Sequence, residues 1–398
     1  MKKMIIITII LITILILGIA FWNYKEKQED IRIYAEAVTL KQNLEIEYGK
    51  EITVSDCLEK LNGTLIEDKN INTETLGEVK VNFEFFDIRN KKRFYEFTVK
   101  IIDINPPKIF SGSSFTVKVG YSKNLTDVLL SGDDIDDNPK REILGEYDFN
   151  TAGEYNLKYV VTDSSGNKTE KDFVLYVKEK IEDKQTERDT IEFADVINNY
   201  KTENTKIGID VSKWQEEINW KEVKDAGVEF VMIRMGYQTE YDGEYKLDSY
   251  FNQNINGAKE VGLPVGVYFY SYAKNVKQAI DQANWVKENL KDYEIDLPVV
   301  FDWESWNSFN TTGMSFNTIN KVANTFLDVI SENGYKGMLY SSKNYLEKIW
   351  YPTKYDIWLA QYNNKVTYEG EYSIWQMCDT GKIAGINEPV DIDIMYEI

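Results

Sequence analysis

Asp302 and Glu304 stand two residues apart at the end of the run Leu297-Pro298-Val299-Val300-Phe301-Asp302-Trp303-Glu304-Ser305-Trp306. Pro-Val-Val-Phe reads as a core strand, and side chains at i and i+2 of a strand share one face. Two carboxylates then project side by side from a strand whose earlier residues are buried. Burying anions costs free energy unless water or a cation receives them. Repulsion should raise one pKa and leave the other group ionised, the split that acid-assisted glycoside cleavage uses. Trp303 and Trp306 add flat apolar faces of the kind that stack on sugar rings. Taken alone, Asp-x-Glu reads more readily as a solvated strand end, and its surroundings decide between the two. The spacing leaves both carboxyl separations open, ~5 Å for retaining and ~6.5–9.5 Å for inverting glycosidases.

The composition narrows the chemistry. The chain has 398 residues, room for two or three domains, and a formal net charge of -20. That charge argues against nucleic acid as a partner. There is no histidine. Ser-His-Asp and Cys-His catalysis are thereby excluded, as are zinc sites built on His, and carboxylate chemistry remains. The two cysteines, Cys57 and Cys378, fall in different expected domains and read as small buried residues. No metal or other cofactor is implied for catalysis.

The carboxylates need elements to hold them, and the chain divides into five stretches. Residues 1–29 form a cytoplasmic tip and a transmembrane anchor: Met4–Trp22 is uncharged and, as a helix, about 28 Å long, close to the ~30 Å hydrocarbon core. Lys2 and Lys3 place the amino terminus inside, so the rest lies outside the cytoplasm. A cleaved signal peptide, with Gly18-Ile19-Ala20 as its cleavage site, is the rival reading and makes the protein secreted. Residues 30–105 and 106–178 alternate apolar and polar residues in short runs, such as Val79–Phe85 and Phe173–Val177, and read as two β-sandwich modules. An offset of 76 residues relates Gly77-Glu78 and Asp87 to Gly153-Glu154 and Asp163. Asn105-Pro106-Pro107 marks the join. Asn150–Tyr155 and Tyr159–Asn167 resemble bacterial immunoglobulin-like repeats. The acidic loop Asp133–Asn138 offers oxygens to Ca²⁺ but lacks the Gly and terminal Glu of an EF-hand loop, and a solvated turn is the better reading. Residues 179–204 are charged and read as a tether, with a short helix over Ile191–Ile197.

From residue 205 to 398 strand and helix periods alternate. Five βα units and then three strands predict an eight-stranded parallel (β/α) barrel with a degenerate final third. Chemistry in such barrels sits at the carboxy-terminal strand ends. Those ends collect Asp210, Tyr237, Tyr268, Tyr270, Tyr272, Asp302, Glu304, Trp358, Gln361, Tyr362, Trp375, Gln376, Asp391 and Asp393. Four or more acids and a belt of aromatics at one mouth are poorly explained by core packing.

Gly208–Gln215, Ile218–Trp220, Phe230–Tyr237, Gly266–Tyr270, Phe301–Glu304, Trp358–Tyr362, Trp375-Gln376 and Val390-Asp391 occur in an order that resembles glycoside hydrolase family 25, the N-acetylmuramidase lysozymes. The resemblance covers about residues 205–398. It implies hydrolysis of the β-1,4 bond between MurNAc and GlcNAc in peptidoglycan glycan strands, with Glu304 as general acid. It also implies that Asp302 stabilises the oxocarbenium-like state or orients the substrate acetamido group, with Asp210 and Asp391 as accessory carboxylates. Tyr237, Tyr268, Tyr270, Trp303, Trp358, Tyr362 and Trp375 would bind sugar. Two positions depart from the family: Asp393 stands where Asn is usual, adding negative charge near the mouth, and Phe269 stands where many members have His. The expected protein is a membrane-tethered muramidase with lipid bilayer and peptidoglycan as partners. The alternatives are a catalytically silent wall-binding protein and a surface protein docking in a larger assembly.

Overall fold

The computed structural model describes residues 2–181 and 189–396. The middle of the expected tether, residues 182–188, lies outside the described residues. The chain divides into two compact units, residues 1–105 and 106–398.

The first unit opens with one helix, Lys2–Ala35, whose apolar run is exposed and long enough to cross a membrane. The helix outruns the expected boundary at residue 29. Its last turns belong to the module that follows: Ile33 is buried, and Asp30 accepts from Arg93 Nη1 at 3.1 Å and Lys91 Nζ at 3.0 Å. The module is a four-stranded sheet built on the long hairpin Gly77–Asp87 and Lys92–Ile102. Val81, Phe83 and Phe85 point inward at alternate positions, as the sequence period requires.

The second unit begins with a module of the same topology. A hairpin of Gly153–Thr162 and Lys168–Lys178 is flanked by a parallel edge strand, Ser114–Lys118, and an antiparallel one, Lys140–Leu144. The 76-residue echo is turn chemistry. Asp87 N–H donates to Lys91 O at 3.0 Å and Asp163 N–H to Asn167 O at 3.1 Å. Each carboxylate also accepts backbone N–H groups of its own turn.

Among the described residues, ten strands share the next sheet, and eight of them close a barrel. These are β1 (Thr205–Val211), β2 (Phe230–Gln238), β3 (Val265–Tyr270), β4 (Val299–Asp302), β5 (Gly337–Ser342), β6 (Asp356–Ala360), β7 (Ile374–Lys382) and β8 (Val390–Tyr396). Helices α1 (Trp220–Asp225), α2 (Phe251–Glu260), α3 (Val276–Leu290), α4 (Phe316–Glu332) and the one-turn α5 (Lys343–Leu346) follow the first five strands. Phe230, Met232, Val300, Met338 and Trp358 fill the interior, while Val231, Ile233 and Phe301 pack under the helices. One expectation fails: β8 runs antiparallel to both β1 and β7. The connection 383–389 is too short for the dozen or so residues that a parallel crossover needs.

Two further readings are corrected. Part of the charged stretch is barrel, not tether. Ile191-Glu192 pairs with β7, and the helix Phe193–Tyr200 buries Phe193 and Val196 in the barrel core. Phe193, Val196, Ile197 and Tyr200 fall at i, i+3, i+4 and i+7, one face of a helix. The acidic loop 133–138 is not a solvated turn either. Asp133 O, Asp134 O and Asp137 Oδ1 accept from the N–H groups of Phe316, Asn317 and Ser315 at the start of α4, at 2.8, 3.0 and 2.6 Å. These donors have no partner inside the helix, and an anion is favoured at its positive end.

Phe193→Ala should therefore cost the barrel about 3–5 kcal/mol, the range for emptying a buried phenylalanine site. Denaturant unfolding of the full chain followed by tryptophan fluorescence reads this out. A wild-type midpoint would mean that the 191–200 segment is not part of the core.

Candidate active site

Asp210 is the last residue but one of β1, after which the chain turns through residues 212–215, where Gln215 Oε1 accepts from Ser212 N–H at 2.8 Å and Gln215 Nε2 donates to Pro389 O at 2.9 Å. Asp248, buried, fixes the same turn from beneath by accepting from Lys213 N–H at 3.1 Å and from Arg234 Nε at 2.7 Å. The turn presents Lys213 and Trp214 at the rim of a cleft of about 580 Å³ over the barrel mouth. Asp210, Tyr237, Tyr268, Tyr270, Asp302, Glu304 and Asp391 line this cleft. A smaller pocket of about 220 Å³ adds Tyr340, Trp358, Tyr362 and Gln376 to the same acids.

The expected pair does not lie on one strand face. β4 ends at Asp302, which is buried, and the backbone turns at Glu304 (φ −128°, ψ 10°) into a 3-10 helix over Ser305–Thr311. Glu304 stands at the solvent side of the cleft, and the walls around it still raise its pKa by desolvation. Asp302 is raised further, first by burial and then by the Glu304 charge beside it, while the Arg234 guanidinium opposes the shift. The two carboxyls interact directly and titrate as a pair, both held above the ordinary carboxylate range.

Asp210 and Asp391 face each other across the β1–β8 ladder. Burial and neighbouring acids push Asp391 up to about 9, and burial and Asp393 raise Asp210 well above the carboxylate range. Gln376 is the polar hub beside them. Its Nε2 donates to Asp210 Oδ2 at 2.8 Å, and its Oε1 accepts from Tyr340 and Tyr362 hydroxyls at 2.8 and 3.1 Å. Asp393, expected near the mouth, lies fully buried beneath it and accepts from Trp358 Nε1 at 2.8 Å. Burial and then Asp391 hold its carboxyl well above the ordinary range. Phe269 points away from the cleft and packs against Tyr245, Trp285 and Phe326.

Of the expected sugar-binding aromatics, Tyr237, Tyr268, Tyr270 and Tyr362 line the two pockets. Trp303 does not: it is 1% exposed and packs edge-on to Trp306 at 4.7 Å. Trp306 is likewise buried, stacked on Tyr345 at 4.0 Å. Trp375 is buried, donating to Gln361 O and meeting Tyr200 edge-on. Trp358 lines the smaller pocket's floor but offers no open face, since Tyr268 and Tyr340 pack edge-on against it. Sequence reasoning missed Trp214, 66% exposed at the rim, and Lys213, whose ammonium sits 4.8 Å from the Trp214 ring and 5.5 Å from the Tyr237 ring. A signal for them exists: a tryptophan just past the acid that ends β1 falls on the active end of the barrel. Arg234 and Tyr340 were also missed, being single residues inside otherwise apolar strands.

The geometry is that of a carboxylate pair at the mouth of a (β/α) barrel. Residues 209–386 match the family described as glycosyl hydrolases family 25. The uncharacterized protein YegX of Escherichia coli K12 is 28% identical over 192 residues, covering 47% of this chain and 68% of that one. The autolytic lysozyme of Clostridium acetobutylicum is 26% identical over 193 residues, covering 48% of this chain and 56% of that one. Among solved structures, the modular autolysin LytC of Streptococcus pneumoniae is 26% identical with a TM-score of 0.43, and the match covers 60% of this chain and 56% of that one. This chain thus spans little more than half the length of the last two. Its carboxy-terminal region belongs to glycosyl hydrolases family 25, and the protein is a glycoside hydrolase.

The buried acids set a pH dependence. Their raised pKa values mean that these groups bind more protons in the folded state than in the unfolded chain, so their contribution to stability is full below the unfolded carboxylate pKa and is lost as pH rises through their folded pKa values. Asp393→Asn keeps an acceptor for Trp358 Nε1 and adds a donor toward Asp210. Thermal melts should show it more stable than wild type at pH 8, with each kcal/mol worth about 2–4 °C, and nearly equal at pH 4. An equal loss at both pH values would show that Asp393 is ionised and stabilising.

Proposed function

We propose that this protein is an N-acetylmuramidase that hydrolyses the β-1,4 bond between MurNAc and GlcNAc in peptidoglycan, held at the outer face of a membrane. The observation that carries this reading is the Asp302/Glu304 pair at the end of β4, one acid buried and one open to an aromatic-lined cleft, in a family 25 region.

In this mechanism Glu304 is the general acid. The pair's shared proton resides on Glu304 in the reactive state and passes to the leaving glycosidic oxygen. Asp302, then anionic, faces the positive charge that develops at the anomeric carbon, or orients the acetamido group of the substrate if that group attacks. Asp210 and Asp391, neutral through burial and their neighbours, limit the negative charge around the pair and offer hydrogen bonds to sugar hydroxyls. Tyr237, Tyr268, Tyr270 and Tyr362, with Trp214 at the rim, supply faces for the rings. Because Glu304 must be protonated and its pKa is raised, activity extends above the ordinary glutamate range and declines as that proton is lost.

The apolar helix Lys2–Ala35 is the anchor in this reading. Its exposed run and the lysines at its start support a single span with an inside amino terminus. The two modules, of immunoglobulin-like kind, then lie outside with the barrel.

The test is digestion of purified peptidoglycan by the full chain in detergent, with borohydride reduction and mass spectrometry of the new ends. Wild type should release reducing MurNAc ends, and Glu304→Gln should lower the rate by at least about a hundredfold. Reducing GlcNAc ends, or no ends from wild type, would overturn the reading.

A further inference from the structure

We propose that the second β module is a fixed part of the catalytic unit, because it holds the loop that carries Glu304. The inference rests on the reading of Glu304 as the acid. It gives the module a role beyond that of a spacer, and assigns Asn310 as a positioning residue.

Glu304 lies past the last paired residue of β4, so no ladder hydrogen bond fixes it. Its place depends on the 3-10 helix Ser305–Thr311, which it caps, with Trp306 N–H donating to Glu304 O at 2.7 Å. At its near end that helix is pinned to the barrel, where Trp306 stacks on Tyr345. Its far end is pinned to the module. Asn310 Nδ2 donates to Thr126 O at 2.7 Å and to Leu129 O at 2.8 Å, and its Oδ1 accepts from Ser131 N–H at 3.0 Å. One side-chain amide thus engages three backbone groups of the module, with both of its polar atoms used.

Packing and capping point the same way. A Cβ on Gly132 of the module would lie 3.0 Å from the Phe309 ring and 2.7 Å from that of Phe316. The module backbone therefore rests directly on the Glu304 loop and on the helix after it. That helix, α4, has its first N–H groups taken by the module's acidic loop, and Asp137 Oδ1 also accepts from Thr318 Oγ1 at 2.7 Å. Loop and helix start are the two ends of the segment between β4 and α4, and the module grips both. Polar contacts on the module side are themselves braced: Ser131 Oγ meets the Tyr159 hydroxyl at 2.7 Å and accepts from Arg141 Nε at 3.0 Å.

Displacing a catalytic group by about 1 Å can cost a hundredfold in rate while the binding surface stays intact. The experiment uses the full chain in detergent with soluble glycan fragments as substrate. It compares wild type, Asn310→Ala and Gly132→Ala, which act from opposite sides of the joint. Both variants should lower kcat between about ten- and a hundredfold with KM within about twofold, and both should move the alkaline limb of the kcat profile. Thermal melts check that each variant is folded. If one fails to fold, the other still decides. Wild-type kcat and pH profile in a folded variant, even one of lower melting temperature, would overturn the proposal. Absence of cleavage by wild type would instead sink the reading of the site itself.

Discussion

Four carboxyl groups, buried on Asp210, Asp302 and Asp393 and half-buried on Asp391, crowd the end of one barrel, and four anions there would not tolerate desolvation together. The fold resolves this by keeping protons rather than importing cations. Arg234 opposes the shift on Asp302 but is committed to Asp248. Neutral donors do the remaining work: Gln376 toward Asp210 and the Trp358 indole toward Asp393. The tyrosines around them are also held protonated by burial and by the acids. The outcome is a site rich in acidic hydrogens with one carboxyl, Glu304, turned toward solvent. The raised pKa of Glu304 itself comes from desolvation by the cleft walls, against which the hydrogen bond with Asp302 works.

The barrel supplies strand ends, and strand ends supply direction. They do not supply the loop on which Glu304 rides. That loop is held between the barrel, through Trp306, and the second β module, through Asn310. The module shares its topology with the one in the first unit, yet only the second carries the acidic loop that caps α4. Duplicated scaffolds can diverge in this way because the hairpin core and the connecting loops are under separate constraints.

Much of the site is legible in the amino-acid sequence. Strand-helix alternation from residue 205, together with the rule that barrel chemistry sits at strand ends, brings Asp210, Asp302, Glu304 and Asp391 to one mouth. The aromatics are less legible. Trp303 and Trp375 occupy strand-end positions where exposure is expected, but both are buried under connecting segments, Trp303 beneath its own 3-10 helix and Trp375 beneath the Phe193–Tyr200 helix. Trp214, just past the end of β1, is the tryptophan that faces the cleft, and its place on a short turn outside any strand period hides it.

The sequence by itself determined the elements, the reactive class and the neighbourhood of the acids, because these depend on local periods of two and 3.6 and on residue chemistry. The missing histidine and the Asp-x-Glu spacing are properties of the chain alone. Tertiary structure alone decided the antiparallel β8, the docking of the charged 191–200 stretch, the depth of Asp393 and the grip of the second module on the Glu304 loop. Each of these depends on which distant segment fills the space beside a residue. Burial, and with it protonation, is a property of that neighbour rather than of the local sequence.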